Sequence, residues 1–164
     1  MNDKVVYVAV IGSGSARHDA ETALAEQVGG EIARAGAVLV CGGLRGVMEA
    51  ACRGAKACGG TTVGILPGSD RREANPHVDI AVATGIGEAR NAIVIASADA
   101  VVAVGGEFGT LSEIAFALRA GKPVVGLDTW ELGRSGRSVE GVLSAEADDA
   151  AGAVALALRS IGKR

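Results

Sequence analysis

The sequence predicts a three-layer α/β/α fold, in which helices cover both faces of a doubly wound parallel sheet of six to seven strands. Short apolar runs rich in β-branched residues alternate with longer segments of helical periodicity, and glycines stand at the junctions. Of the 164 residues, 25 are Gly and 31 are Ala, so about one third of the chain can pack backbone against backbone. The length fits a single domain, residues 1–164.

The first half of the chain predicts a βαβαβ unit. Residues 5–11 form a continuous β-branched run that ends in a Gly-Ser turn, which is typical of a buried strand. Apolar residues then recur at helical spacing and are followed by Gly36, so a helix is predicted over 16–35. The same reasoning predicts strands over 37–41 and 61–66 and a helix over 46–58.

The second half repeats this alternation and then weakens. The predicted elements are strands over 79–83, 99–104 and 123–127, helices over 87–98 and 110–120, a short edge strand over 139–144 and a closing helix over 145–161. Two long polar connections, 67–77 and 128–138, interrupt the pattern. Their arginines either close over a bound anion or are solvated loop charges: Arg71, Arg72, Arg134 and Arg137.

Composition excludes several classes of function. Four aromatic residues, a formal net charge of −3 and a pI near 5.4 disfavour binding to a nucleic acid polymer. No apolar stretch approaches the roughly 20 residues that span a bilayer, and no secretory signal is visible, so we expect a cytoplasmic protein without a membrane partner. With three Cys, two His and no C-x-x-C pair, we expect buried or incidental thiols and no metal site.

Glycine-rich turns follow three of the predicted strands, where ligands bind in this architecture. The first, Gly12-Ser13-Gly14-Ser15, begins like a dinucleotide fingerprint, but Arg17 occupies the position of its third glycine. The second strand also ends without an acidic residue, so an NAD site is not expected, and no P-loop motif occurs. Two interpretations stay open: this turn binds a phosphate, or its serine only caps the following helix.

The other two turns carry more binding potential. Gly42 and Gly43 permit close backbone approach, and Arg45 points either toward an anion or into solvent. The strongest candidate contains Gly105, Gly106, Gly109 and Thr110, between a strand end and a helix start, where free amides and the helix dipole favour an anion. Glu113 follows Thr110 at the spacing of a capping box, so a structural and a functional role for Glu113 are both open.

Arg90 is predicted one turn into the helix over 87–98, near the carboxyl end of the preceding strand. Arg90 and Glu113 are therefore expected to meet over one cleft. The guanidinium would bind an anionic group, and the carboxylate would serve acid/base chemistry or bind a ribose hydroxyl. The alternative is structural: Arg90 forms an ion pair with Glu113 or Glu88, and no ligand is involved.

An ordered set of motifs resembles the LOG-like Rossmann superfamily. This group holds the cytokinin-activating phosphoribohydrolases, formerly called lysine decarboxylase-like, and the molybdenum cofactor carrier proteins. The resemblance covers about three quarters of the chain and looks closest to the carrier-like branch of nucleotide-binding proteins. The motifs that carry it are GGLRGVME at 42–49, GGTTVGILPG at 59–68, Arg90-Asn91, GGEFGTLSE at 105–113 and GKPVV at 121–125.

The resemblance implies roles for matching residues. The phosphoribohydrolases use a P-G-G-x-G-T-x-x-E turn to hold a 5′-phosphate, and its glutamate acts with an arginine to cleave an N-glycosidic bond. By that match Glu113 and Arg90 are the candidate catalytic pair, while Gly106, Gly109 and Thr110 hold phosphate.

This chain also departs from the hydrolase pattern. Gly105 stands at the position of the proline, Glu107 at the second glycine, Gly87 at a methionine and Asn91 at a lysine. A carboxylate at Glu107 would repel an anion in the cradle unless it points away or meets a cation. These departures lower the expectation of hydrolysis without removing it.

The apolar faces of two predicted helices indicate that the chain associates with a second copy. The segments 87–98 and 110–120 are apolar around most of their circumference, which a domain of this size has few places to bury internally. We expect a homodimer through these two helices, as the resemblance also implies.

Two functions from different classes remain, with a regulatory or structural protein that has a vestigial cleft as a third. The first is binding of a phosphorylated nucleotide-like ligand, such as a nucleotide or a molybdopterin-type cofactor, over the three glycine-rich turns. The second is hydrolysis of a nucleoside 5′-monophosphate by a phosphoribohydrolase, with Arg90 and Glu113 as its catalytic pair.

Overall fold

A computed structural model describes residues 4–15, 19–134, 137–138, 145–147 and 149–162. Its strands are β1 Tyr7–Gly12, β2 Val38–Cys41, β3 Thr62–Leu66, β4 Ile80–Ala83, β5 Ala100–Val104, β6 Val124–Leu127, β7 Gly133–Arg134, β8 Arg137–Ser138 and β9 Ala145–Glu146. Its α-helices are α1 Asp19–Arg34, α2 Val47–Ala57, α3 Asn91–Ala96, α4 Phe108–Arg119 and α5 Ala150–Ser160. Two 3-10 turns span Arg71–Glu73 and Gly87–Arg90.

Seven of these strands form one parallel sheet in the order β4-β3-β2-β1-β5-β6-β9, while β7 and β8 form a small antiparallel pair. The predicted doubly wound sheet is therefore confirmed. The chain runs outward from β1 to β4 and then returns to place β5 beside β1 on its other side. This reversal between β1 and β5 opens a crevice at the carboxyl ends of the strands, where ligands bind in such sheets.

The two faces of the sheet carry separate hydrophobic cores. Alternate residues of the strands pack against α1, α2 and α5 on one face, as Val10 and Val102 do. Their neighbours, such as Ile11 and Val101, pack against α3 and α4 on the other. Because both faces are covered, the central strands read as continuous apolar runs, and every residue of β5 is buried.

Small residues bring α1 and α2 unusually close. A Cβ added at Gly29 would overlap the carbonyl oxygen of Ala51, and one added at Gly54 would overlap that of Glu26. The two helix backbones therefore touch where each helix carries a glycine in its interior.

Some predicted boundaries are wrong. The closing helix begins at Ala150 rather than 145, because Asp149 accepts a hydrogen bond from the Gly152 amide at 2.7 Å and caps it. Residues 145–146 instead form the edge strand β9, beside β6. The edge strand predicted over 139–144 and the segment 16–18 lie outside the described residues. Among the described helices, none is long and apolar enough to cross a membrane.

Candidate functional site

A polar cleft of about 190 Å³ lies at the β1/β5 reversal. It brings together most of the predicted site residues: Gly12, Ser13, Gly14, Gly42, Arg90, Gly109, Thr110 and Glu113. The sequence predictions missed that Leu44, Met48, Glu88 and Asn91 also line it. The lining contains more acidic than basic side chains. Its charged residues are three glutamates, Glu88, Glu107 and Glu113, and one arginine, Arg90.

Five predicted site residues lie outside this lining. Arg45 is exposed, and Gly43 packs against the backbone of Gly64 in β3. Gly105 and Gly106 form the turn behind the start of α4, and Ser15 stands at the rim. Arg134 and Arg137, from the second long loop, have no described side chain.

Arg90 is the charged centre of the cleft. It ends the 3-10 turn that precedes α3, and only 5% of its surface is exposed. The guanidinium lies directly on Gly42, where any Cβ would overlap it. Its Nε is buried and has no hydrogen-bond partner among the described residues. A buried cation with an unpartnered donor is costly, so this Nε is a candidate to bind an anion.

The ion pairs offered as the structural alternative for Arg90 are not formed. Within the described part of the chain, the salt bridges join other residues, and neither Glu88 nor Glu113 pairs directly with the guanidinium. Glu88 instead accepts a long hydrogen bond of 3.5 Å from the Asn91 side chain. Packing on Gly42, rather than a carboxylate partner, therefore holds Arg90 in place.

Glu113 faces the same cleft from α4 and is 7% exposed. Burial raises the pKa of its carboxyl from the ordinary value of 4.5 to about 7. The charge of Arg90 opposes this shift, and that of Glu88 adds to it. Glu113 is thus poised between its protonated and ionised forms near neutral pH, as general acid/base chemistry requires.

The start of α4 differs from the capping box that the sequence allowed. The helix begins at Phe108, and its N-cap is Glu107, whose side chain makes no capping hydrogen bond. Thr110 and Glu113 therefore lie inside the helix, and the capping interpretation is wrong for both. The position of a Cβ at Gly109 has no atom within 4 Å, so the first turn of α4 is open toward the cleft. Its amides are donors of the kind that bind anions.

Gly106 supports this arrangement from behind. Its φ of +108° is a conformation that glycine adopts readily, and a Cβ there would overlap the buried Thr110 side chain. The turn therefore depends on glycine at this position both for its backbone and for its contact with Thr110.

Hydrogen bonds tie the first turn to its neighbours. The Ser13 hydroxyl accepts from the Ser15 amide at 3.1 Å, and the Ser13 carbonyl accepts from the Val47 amide at the start of α2 at 3.0 Å. The Ser15 hydroxyl donates to the Glu107 carboxylate at 3.4 Å across the rim. Glu107 lines the cleft and also makes this polar contact at its rim.

Asn75 fastens the second glycine turn from outside the cleft lining, a role that the sequence predictions missed. It comes from the long loop 67–77 and is 6% exposed. Its side-chain amide donates to the carbonyls of Leu44 at 2.8 Å and Gly43 at 3.3 Å, and its backbone amide donates to Gly43 at 2.9 Å. The signal in the sequence was an Asn-Pro pair inside this long polar connection, where only the arginines were predicted to contact an anion. The loop fastens the second glycine turn from outside.

Two of the four aromatic residues pair beside the start of α4. The rings of Phe108 and Trp130 are tilted at 38° with centroids 5.6 Å apart, and Phe108 is 79% exposed. The sequence predictions placed no aromatic side chain at this edge, because nothing in the spacing links residue 108 to residue 130. An aromatic surface therefore flanks the open helix terminus.

Proteins of one superfamily are similar to this chain along most of its length. The profile of LDcluster4, the SLOG cluster4 family, matches residues 5–157. A cytokinin riboside 5′-monophosphate phosphoribohydrolase of Mycobacterium tuberculosis is 36% identical over 132 residues, which are 75% of this chain and 71% of that protein.

Solved structures of molybdenum cofactor proteins share the fold. The molybdenum cofactor carrier protein of Chlamydomonas reinhardtii matches with a TM-score of 0.82 and 36% identity, over 98% of this chain and 100% of that one. The molybdenum cofactor binding protein of Rippkaea orientalis matches with a TM-score of 0.75 and 43% identity, over 78% of each chain. Together with the family profile, these matches confirm the LOG-like, carrier-like superfamily that the motifs predicted.

Proposed function

We propose that this chain, which belongs to the SLOG cluster4 family, binds a phosphorylated nucleotide-like ligand, either a nucleotide or a molybdopterin-type cofactor. One observation carries the proposal: a buried arginine with an unpartnered Nε and an open helix terminus line the same polar cleft. Both features attract an anion.

The phosphate would lie at the start of α4. Gly109 and Thr110 supply amides of the first helical turn, and Gly106 keeps the turn in the required shape. Arg90 would neutralise the charge of the phosphate, and Ser13 lines the same cavity. This division of roles uses backbone amides for position and one guanidinium for charge.

The relatives support a small, cofactor-like ligand. The proteins from Chlamydomonas reinhardtii and Rippkaea orientalis are described as a carrier and a binder of the molybdenum cofactor, and the Mycobacterium tuberculosis relative acts on a nucleoside 5′-monophosphate. A phosphate is common to a nucleoside monophosphate and a molybdopterin. The donors around this cleft fit that shared group.

Binding is tested by calorimetry with AMP and with molybdenum cofactor, on the wild-type protein and on two variants. Arg90→Met removes the guanidinium, and we expect the Kd to rise by about 10- to 100-fold, the value of a hydrogen bond to a charged group. Arg159→Met removes an exposed arginine of α5, on the other face of the sheet, and should leave the Kd unchanged. Equal affinity of all three proteins would refute the assigned role of Arg90.

Hydrolysis is the second candidate, and the raised pKa of Glu113 favours it. We infer that, if the chain is an enzyme, Glu113 holds or takes the proton while Arg90 binds the anionic group. The test is incubation with AMP and with a cytokinin riboside 5′-monophosphate, followed by detection of free base and ribose 5-phosphate. Turnover that Glu113→Gln abolishes would support the enzyme. Tight binding without turnover would support the carrier.

We also propose that two copies of the chain associate through α3 and α4. These helices expose Ile93 and Phe116, and the edge strand beside them exposes Ile80 and Val82 on the same face of the sheet. Together these side chains extend an apolar surface that a second copy would cover. Sedimentation should show a dimer at micromolar concentration for the wild type and a monomer for Phe116→Asp. A wild-type monomer would overturn the proposal.

A further inference from the structure

A pair of buried thiols lies next to the second glycine turn of the cleft. Cys41 is the last residue of β2, and Cys52 lies on α2, so the pair joins a strand to the helix that covers it. Both are free and fully buried, with their sulfur atoms 3.5 Å apart. A disulfide bond requires about 2.05 Å between the sulfurs, so the two atoms need to approach by only about 1.5 Å.

The surroundings of Cys41 favour its thiolate. The hydrogen bond that the two thiols share lowers the pKa of Cys41, and the Gly43 amide at 3.3 Å and the charge of Arg90 act in the same direction, whereas burial and the charge of Glu113 oppose them. The same hydrogen bond, together with burial, raises the pKa of Cys52. One sulfur of the pair is therefore the better nucleophile and the other keeps its proton.

From this geometry we propose that Cys41 and Cys52 are an oxidation site, which a peroxide converts to a disulfide that loosens the cleft. The Cys41 thiolate attacks one peroxide oxygen and forms a sulfenic acid, and the other oxygen leaves as water after taking up a proton. The Cys52 sulfur then attacks the sulfenic sulfur, and a second water leaves with the remaining proton. Two thiols are oxidised and one hydrogen peroxide is reduced to two waters.

The disulfide reaches the cleft through the second glycine turn. Cys41 directly precedes Gly42, on which the Arg90 guanidinium rests without space for a methyl group. The Cys41 sulfur also accepts the Gly43 amide hydrogen bond, which a disulfide sulfur would hold only weakly. Drawing Cys41 toward α2 thus moves the surface that positions Arg90 and leaves a buried amide without its acceptor.

The oxidation of Cys41 and Cys52 does not depend on the proposed function, whereas the effect of their disulfide on ligand binding rests on it. The experiment therefore measures the two separately. The wild-type protein is treated with hydrogen peroxide, its remaining thiols are alkylated under denaturing conditions, and the peptides are mapped. We expect a peptide in which Cys41 is linked to Cys52. Recovery of both as alkylated thiols would overturn the proposal, and this measurement requires no ligand.

Binding of AMP gives the second readout. Oxidation should weaken AMP binding by about tenfold, the effect of one lost buried hydrogen bond, and a reductant should restore it. Cys58→Ser removes the third thiol and should respond like the wild type, whereas Cys41→Ala, which removes the thiol that peroxide attacks, should bind AMP equally well before and after peroxide. A linked pair with unchanged AMP affinity would overturn the coupling to the cleft. If the reduced protein binds no AMP, the proposed ligand class fails, and the peptide map still decides whether the pair oxidises.

Discussion

The contact between α1 and α2 and the cleft at the strand ends both depend on glycine, but they use it in opposite ways. Where α1 meets α2, Gly29 and Gly54 let two backbones touch, so a neighbouring carbonyl fills the space of each missing side chain. At the cleft, Gly109 has no neighbour beyond its own turn, and Arg90 keeps a donor unpaired. In the first region, atoms of the protein itself fill the available space, and this contact stabilises the fold. The second holds space and charge for a molecule that is not part of the chain.

The largest expected effect comes from filling the contact between the helices. Gly54→Ala would place a methyl group on the Glu26 carbonyl oxygen and force α1 and α2 apart. Overpacking of this kind should lower the free energy of unfolding by about 3 kcal/mol, the upper end of its usual range, which outweighs the gain of up to about 1 kcal/mol in helix propensity. Urea unfolding measures this change. A loss below about 0.5 kcal/mol would show that the backbones are not in contact.

Glu113 supplies the next largest effect, and it depends on pH. The pKa of its carboxyl rises from 4.5 to about 7 on folding, so the native state holds a proton that the unfolded state releases. Stability therefore falls as pH rises between these two values. The loss attributable to Glu113 is at most about 3 kcal/mol and is complete above pH 7.

Glu113→Gln tests this sign directly. The variant has no charge to bury, so it should equal the wild type in unfolding free energy near pH 4.5 and exceed it at pH 8. The difference between the two proteins, measured by urea unfolding across this range, should grow as the pH increases. A difference that stays constant with pH would mean that Glu113 titrates normally in the folded protein.

Replacement of Arg90 should change stability by a smaller amount. Stability and AMP binding should then change in opposite directions. The Arg90 guanidinium is buried without an anion, so Arg90→Met should raise the free energy of unfolding by about 1 kcal/mol while it weakens AMP binding. Thermal unfolding without ligand and calorimetry with AMP measure the two changes. If Arg90→Met lost stability by more than about 1 kcal/mol, Arg90 would belong to the packed scaffold rather than to the cleft.

The sequence predicted the packed region better than the cleft. Strand and helix periodicities are local signals, and they placed every strand from β1 to β6 within two residues of its observed ends. The cleft depends on contacts between distant residues, such as Arg90 on Gly42 and Asn75 on Gly43. No spacing rule links these positions, so the motifs identified the turns but not the residues that fasten them.

Lys122 shows the same limit. In the sequence it was only one residue of the GKPVV motif, yet its ammonium donates to the carbonyls of Ile95 at 2.6 Å and Ala96 at 2.9 Å and caps the end of α3. A lysine near a helix terminus usually belongs to that helix, whereas this one comes from the turn after α4. Only the packing of α3 against α4 reveals its role.

Gly109→Ala has the smallest expected effect on stability and separates the two uses of glycine most sharply. The change is chemically the same as Gly54→Ala, but the added methyl group meets open space in the first turn of α4. Because Ala favours the helix, the free energy of unfolding should stay within about 0.5 kcal/mol of the wild type or rise slightly. The methyl group would nevertheless occupy the place of the anion, so AMP binding should weaken. Unfolding and calorimetry on both variants therefore compare the two regions directly: one glycine is required by the fold, and the other is required only by the ligand. A Gly109→Ala protein that binds AMP as the wild type does would place the phosphate elsewhere than at the start of α4.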